Sequence, residues 1–206
     1  MGLFLTMLAC KINSREKVLD SIIKIMKRRD FIIYSKKNVK EITGKENQFE
    51  ISDIKNGWVQ VFCPEVPNDS LASSLSKELN VPVFQFHIHN GEFWMYQLFL
   101  SGKLKDKFNP LPDYWSKLNE KKKNEWKGKP ALLAKIFNIS EPKLMPYLIH
   151  WEKLKDKRKK AFPDDEFPLI SEWSIVDFQK KLGIIYPEFD KPDSLDIIRL
   201  TFKKLK

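Results

Sequence analysis

Phe84-Gln85-Phe86-His87-Ile88-His89-Asn90-Gly91-Glu92-Phe93-Trp94-Met95-Tyr96 reads as a β-hairpin. Two apolar-rich runs flank Asn-Gly, the pair that best tolerates the positive φ angles of a two-residue turn. Such a turn sets His89 opposite Glu92, Ile88 opposite Phe93, His87 opposite Trp94 and Phe86 opposite Met95. Because side chains alternate, Phe84, Phe86, Ile88, Phe93, Met95 and Phe99 share one face, a core face. Gln85, His87, His89, Glu92, Trp94 and Tyr96 share the other, which is polar and aromatic. A slip of one residue would mix the two sets, so the sorting supports the register.

Outward from the hairpin, strands and helices alternate. Leu3 to Cys10 is an unbroken apolar run, predicted to be a first strand buried on both faces. Ser14 can cap a helix running to about Arg29, with Val18, Leu19, Ile22, Ile25 and Met26 on one face. Phe31–Tyr34 and Gly57–Cys63 are strands, and residues 36–50 are a weak strand and loop. Asn68, Asp69 and Ser70 offer caps for a second helix carrying Ala72, Leu75 and Leu79. Strands follow over Pro82–His89, Glu92–Leu100 and Lys103–Phe108, the last two joined at Ser101-Gly102. This order predicts an α+β protein: a ferredoxin-like, split βαβ N-terminal half with additional antiparallel strands. Pro110, Pro112 and Asp113 then end the strand pattern. Residues 1–115 form the sheet portion. Residues 116–206 read as mainly helical, with helices near 116–127, 130–138, 142–160 and 172–182. Trp115, Trp126, Trp151 and Trp173 lie at or beyond this junction, and rings of that size call for burial, so the helices are expected to pack on the sheet as part of one unit.

The chain has 206 residues and a net charge of +10. Up to Trp115 it holds 16 basic and 13 acidic residues, and beyond it 21 and 14, so the excess of +7 over +3 sits in the second part. Lys121, Lys122 and Lys123 form one run, and Lys153, Lys155, Lys157, Arg158, Lys159 and Lys160 another. Such runs attract nucleic acid or acidic surfaces, although lysine-rich helix faces are also simply solvated. Two cysteines, Cys10 and Cys63, are too few for a disulfide framework and point to a reducing compartment, hence a cytoplasmic location. Apolar runs are far shorter than the roughly 18 residues of a membrane span, so no membrane partner is expected. Leu3–Cys10 is also too short and lacks the basic leader of a signal peptide.

His87, His89 and Glu92, with Trp94 and Tyr96, are the candidate ligand-binding residues. Two histidines and a carboxylate resemble a metal ligand set, but a third histidine is missing from the hairpin, and neither a metal nor another cofactor is implied. A Cys63–His87 pair on neighbouring strands would need an activating context that Cys63 lacks. Asp164-Asp165-Glu166 reads as a charge-balancing loop. There is no nucleophile elbow, Walker loop or His-Glu-x-x-His motif. Gly57-Trp58-Val59-Gln60-Val61-Phe62 falls short of an RNA-recognition signature.

Three blocks together carry a resemblance: Gly57-Trp58-Val59-Gln60-Val61-Phe62; Ser101–Asn109 followed by Pro112-Asp113-Tyr114-Trp115; and Pro163–Pro168 with Trp173, Asp177-Phe178 and Leu182-Gly183-Ile184. In these the chain resembles a group of uncharacterised bacterial proteins over most of its length. The resemblance implies that the strand and helical parts occur together, and it implies no catalytic residue. The expectation is a non-enzymatic binding or interaction protein with a protein partner. The alternatives are a nucleic-acid binder using the lysine runs, and an enzyme centred on His87, His89 and Glu92.

Overall fold

The computed structural model describes residues 2–63, 69–187 and 195–205, the side chains of Asp69 and Ser70 excepted. Its eight strands form an antiparallel sheet in the order β2-β8-β3-β4-β1-β5-β6-β7. The chain divides into two compact units of discontinuous segments. One comprises Leu5–His87, Leu98–Lys105 and Pro187–Lys206, and the other Met1–Phe4, Ile88–Gln97 and Asp106–Tyr186.

In the larger unit, β1 (Leu5–Lys11) pairs with β4 (Trp58–Cys63), and both are buried along nearly their whole length. The helix α1 (Arg15–Lys27) starts where Ser14 Oγ accepts the Lys17 amide at 3.3 Å. Its 3.6-residue period lays Val18, Leu19, Ile22, Ile25 and Met26 into the core. α2 (Asp69–Leu79) adds Leu71, Ala72 and Leu75, which meet Leu8, Cys10, Val59, Val61 and Ile51 of the strands. Of the three caps expected for α2, Asn68 lies outside the described residues.

β2 (Phe31–Val39) and β3 (Gln48–Ser52) both pair with β8 (Ile197–Lys204). That strand lies in the part of the chain read as mainly helical. Ile198-Arg199-Leu200-Thr201-Phe202-Lys203 alternates apolar and polar residues at the strand period, which a mainly helical reading of 116–206 does not accommodate. Glu50 of β3 is 1 % exposed and fully engaged. It accepts from Thr43 N at 2.8 Å, Gly44 N at 3.1 Å and Arg199 Nε of β8 at 2.9 Å.

Within the smaller unit, β5 (Val83–His89) contributes its last two residues, β6 (Phe93–Leu100) its first half and β7 (Lys103–Phe108) its end. The helix expected over 142–160 is instead three 3₁₀ turns, Glu141–Lys143, Met145–Tyr147 and Trp151–Lys153. Pro142 and Pro146 withhold the amide donors that a continuous helix there would use. The remaining helices are α3 (Glu120–Asn124), α4 (Pro130–Phe137) and α5 (Ser174–Lys181). α5 brings Phe178 to 5.2 Å from the Trp94 ring and 5.6 Å from the Tyr96 ring. No helix among the described residues is long and apolar enough to cross a membrane.

Candidate functional site

The hairpin turn forms as its sequence dictates. Asn90 and Gly91 have φ of 54° and 66°, and Glu92 N–H closes on His89 O at 2.9 Å. The chain's beginning is docked on this tip: Gly91 N–H donates to Leu3 O at 2.8 Å. Gly2 approaches so closely that a Cβ there would stand 1.8 Å from Asn90 Oδ1. β1 starts at Leu5, not Leu3. Leu3 and Phe4, expected inside a buried strand, are 41 % and 52 % exposed because the segment turns onto the hairpin tip instead of continuing the ladder.

A second segment reaches the same place. Pro110 and Pro112 break the chain, Asn109 Oδ1 accepts the Leu111 amide at 2.8 Å, and Tyr114 N–H closes a turn on Leu111 O at 3.0 Å. This turn projects Tyr114 and Trp115. The His89 ring is the hub: its centroid lies 5.0 Å from Phe4, 5.4 Å from Tyr114 and 5.0 Å from Trp115. Phe93 lies 4.8 Å from Tyr114 and floors the cluster at 0 % exposure. The angles are mostly edge-to-face, the arrangement that aromatic quadrupoles favour. Trp115 is 55 % exposed and Tyr114 39 %. Trp115 therefore departs from the expected burial, since its neighbours cover only one side of the indole.

The rim of this patch is charged. Asn90 Nδ2 donates to Glu92 Oε1 at 2.9 Å. The Tyr114 hydroxyl donates to the Glu92 carboxylate, which pushes the phenol's pKa up. Asp113 pairs with Lys123 of α3 and accepts the Leu118 amide, and these contacts hold its carboxyl below the usual range. Lys123 also lies 3.6 Å from Glu152, beside Lys153. The first lysine run thus adjoins both the start of the second run and the residue preceding Tyr114. Lys121, Lys122, Lys153, Lys155, Lys157, Arg158, Lys159 and Lys160 are all exposed, and Lys123 is half-buried in its ion pairs.

The residues singled out on the hairpin serve different ends. Trp94 and Tyr96 are each 1 % exposed. Trp94 Nε1 donates to Ser174 Oγ at 2.8 Å, and Tyr96 OH to Asp106 Oδ2 at 2.7 Å. His87, in the larger unit, is 2 % exposed with Nδ1 2.9 Å from Thr6 Oγ1. His89 stands in the aromatic cluster and Glu92 at its exposed rim. No group of three or more His, Cys, Asp or Glu among the described residues is placed to hold a metal ion. Cys63 and His87 are not on neighbouring strands, because β1 lies between β4 and β5 and Thr6 is the strand partner of Cys63. Burial pushes the other thiol, Cys10, up to about 12. The acidic loop is neutralised from within: Asp165 receives Tyr147 OH at 2.7 Å and Lys181 Nζ at 3.0 Å, and Glu166 lies 3.4 Å from Lys180.

Phe4, Tyr114 and Trp115 were not among the residues marked for a site. The available signal was the pair of adjacent aromatics after Pro-x-Pro, where no strand or helix period buries them. Compared with known proteins, the chain matches no family model, no curated protein and no solved structure.

Proposed function

We propose that this is a non-enzymatic binding protein that docks a partner protein on the aromatic patch of Phe4, His89, Tyr114 and Trp115. The observation that carries this reading is the exposure of three large rings, 52 %, 39 % and 55 %, around one hub residue. Contiguous exposed aromatics are uncommon on isolated proteins, and Trp and Tyr dominate binding energy where a partner desolvates them. The patch is built from a hydrogen-bonded turn and from the Leu3–Phe4 segment held to the hairpin by the Gly91–Leu3 bond, so little order has to be gained on association. Two buried thiols without a disulfide fit a reducing compartment such as the cytoplasm.

The fold reading behind this is a split βαβ unit of ferredoxin-like type in the larger unit. The neighbour order β3-β4-β1-β5, with α1 after β1 and α2 between β4 and β5, supports it. β2, β8, β6 and β7 are then additions.

The test is photo-crosslinking from position 115, identification of the captured protein, and titration with that protein purified. Trp115→Ala and Phe4→Ala should each weaken binding by about 2 kcal/mol or more, as buried anchors do, with stability changed by less than about 1 kcal/mol because both side chains are half exposed. Unchanged affinity in both variants would remove the patch from the interface.

One observation favours a second reading, single-stranded nucleic acid. Lys123 bridges Asp113 and Glu152, which sets stacking rings beside both lysine runs. Oligonucleotide binding should then quench tryptophan emission and fall about tenfold or more between low and physiological salt. Salt-independent or absent binding would leave the protein-partner reading alone.

A further inference from the structure

The sheet ends in the larger unit at β2, and no strand of the described residues lies beyond it. β2 is the longest strand among the described residues, nine residues from Phe31 to Val39. Apart from its pairing with β8, its main chain makes no hydrogen bond among the described residues. In an antiparallel pair alternate residues turn their N–H and C=O groups outward, so an edge strand offers a second row of donors and acceptors. Sheets blunt such edges against self-association with lysines and bulges, and β2 has both. Its register against β8 shifts between Ile33 and Ser35, which leaves Tyr34 as the extra residue, 70 % exposed. Residues 35–39 then pair regularly with 197–201 of β8. Neither strand holds an acidic residue. Arg199 is neutralised by Glu50 and Glu41. Lys36, Lys37, Lys203 and Lys204 are exposed and form no ion pair among the described residues. Lys203 Nζ stands 5.6 Å from the centre of the Tyr34 ring. Ile33 and Leu205 are also exposed, and Leu205 N–H donates to Asp30 O at 2.7 Å, which holds it beside the start of β2.

We propose that this edge docks an extended acidic segment of a partner protein, which adds to the sheet as a further strand. Main-chain bonds to residues 35–39 give the affinity, and side chains at alternate positions give the choice of partner. Carboxylates of the incoming strand face Lys36 and Lys37, with Lys203 and Lys204 one strand further in, and its apolar side chains cover Ile33 and Tyr34. Charge decides the occupant. A second copy pairing through β2 would bring two Lys36-Lys37 pairs together with no carboxylate on either strand, the like-charge arrangement that destabilises a sheet. An acidic strand turns the same lysines into attraction. The site shares no residue with the aromatic patch and does not depend on it.

The experiment uses the full chain, with its amide resonances followed in two-dimensional NMR. The probe is an acetylated and amidated nonapeptide of alternating valine and glutamate. It should shift the amides of residues 33–39 with a dissociation constant of about 1 mM or tighter. The counterpart of alternating valine and lysine should bind at least about tenfold more weakly. So should the glutamate peptide with a run of N-methylated residues at its centre, which keeps the charge and removes ladder donors from both of its edges. Lys36→Glu/Lys37→Glu changes two exposed side chains and should reverse the preference between the glutamate and lysine peptides. Any of four results would overturn the proposal: no shifts with the glutamate peptide up to about 10 mM, equal binding of the lysine peptide, equal binding of the N-methylated peptide, or a preference that survives the double substitution. Shifts of residues 33–39 that grow with protein concentration in the absence of peptide would assign the edge to a second copy and likewise overturn it.

Discussion

Tyr96→Phe removes one hydroxyl from a buried contact and leaves the ring in place. In the wild-type protein that hydroxyl donates to Asp106 Oδ2 at 2.7 Å, and the Lys129 and Lys107 amides donate to the same carboxylate at 3.0 and 2.9 Å. Burial pushes the Asp106 carboxyl above its ordinary 3.8, while Tyr96 and the two amides pull it down without cancelling the burial. The Tyr96 phenol is itself pushed well above 10 by burial and stays neutral. At pH 8 the bond is neutral donor to charged acceptor, so its loss should cost about 1.5–3 kcal/mol. The ring's contacts with Trp94, Phe108 and Phe178 remain, so no cavity term adds. The sign of the pH dependence follows from the raised folded value. A charged buried Asp106 destabilises the fold at every pH above that value, and the penalty is relieved as pH falls through it toward 3.8, because the folded chain takes up its proton first. Tyr96→Phe withdraws one of the groups that hold the charged form, so the relief is larger in the variant. The gap between the two proteins should narrow on acidification to about 0.5–1.5 kcal/mol, the worth of a neutral bond. Urea denaturation of both proteins at a series of pH values, with circular dichroism and tryptophan fluorescence compared, measures the gap. A gap below about 0.5 kcal/mol at pH 8, or one that widens in acid, would refute a charge-assisted Tyr96–Asp106 bond.

Gly91→Val forces a β-branched residue to a φ of 66° and should cost about 1–3 kcal/mol in thermal melts. Gly102→Ala should cost comparably, since Ser101 and Gly102 have φ of 48° and 77° and a Cβ would stand 3.0 Å from Lys77 Cβ. Glu50→Gln should destabilise by about 3 kcal/mol in urea by removing the buried charge that faces Arg199, which keeps only the exposed Glu41, with part of the loss recovered in Glu50→Gln/Arg199→Met. Burial holds His150 below 6.5, so below that pH the unfolded chain takes up the proton first and stability is lost as pH falls toward the folded value. His150→Phe should flatten that part of the stability profile, and an unchanged profile would exclude the histidine as its cause.

Much of the fold was legible because it is local. Ser14 followed by apolar residues at helical spacing can only cap and bury one face, and Asn90-Gly91 accepts positive φ at two successive positions. Alternation in residues 84–96 predicted that His89 and Phe93 lie on opposite faces, and the structure corrects this: their rings stand 5.4 Å apart in one cluster, so simple alternation does not carry through the residues that flank the turn. It did not say that both faces would be buried, because alternation records what a strand presents and not what arrives to cover it. That is why Trp94 and Tyr96 look like a platform in sequence and are core in the fold. β8 escaped notice for a related reason: its place between β2 and β3 is decided by pairing more than 140 residues away from either strand's sequence, as in Glu50 with Arg199 at a separation of 149. The aromatic patch is wholly tertiary. Phe4, His89 and Trp115 lie in three distant segments, and only the docking of Leu3 on Gly91 and the turn after Pro112 bring their rings together. Composition and periodicity determined the elements of this protein, since those depend on neighbours along the chain. Its candidate site was decided by tertiary structure, because an exposed ring is defined by what the rest of the chain leaves uncovered.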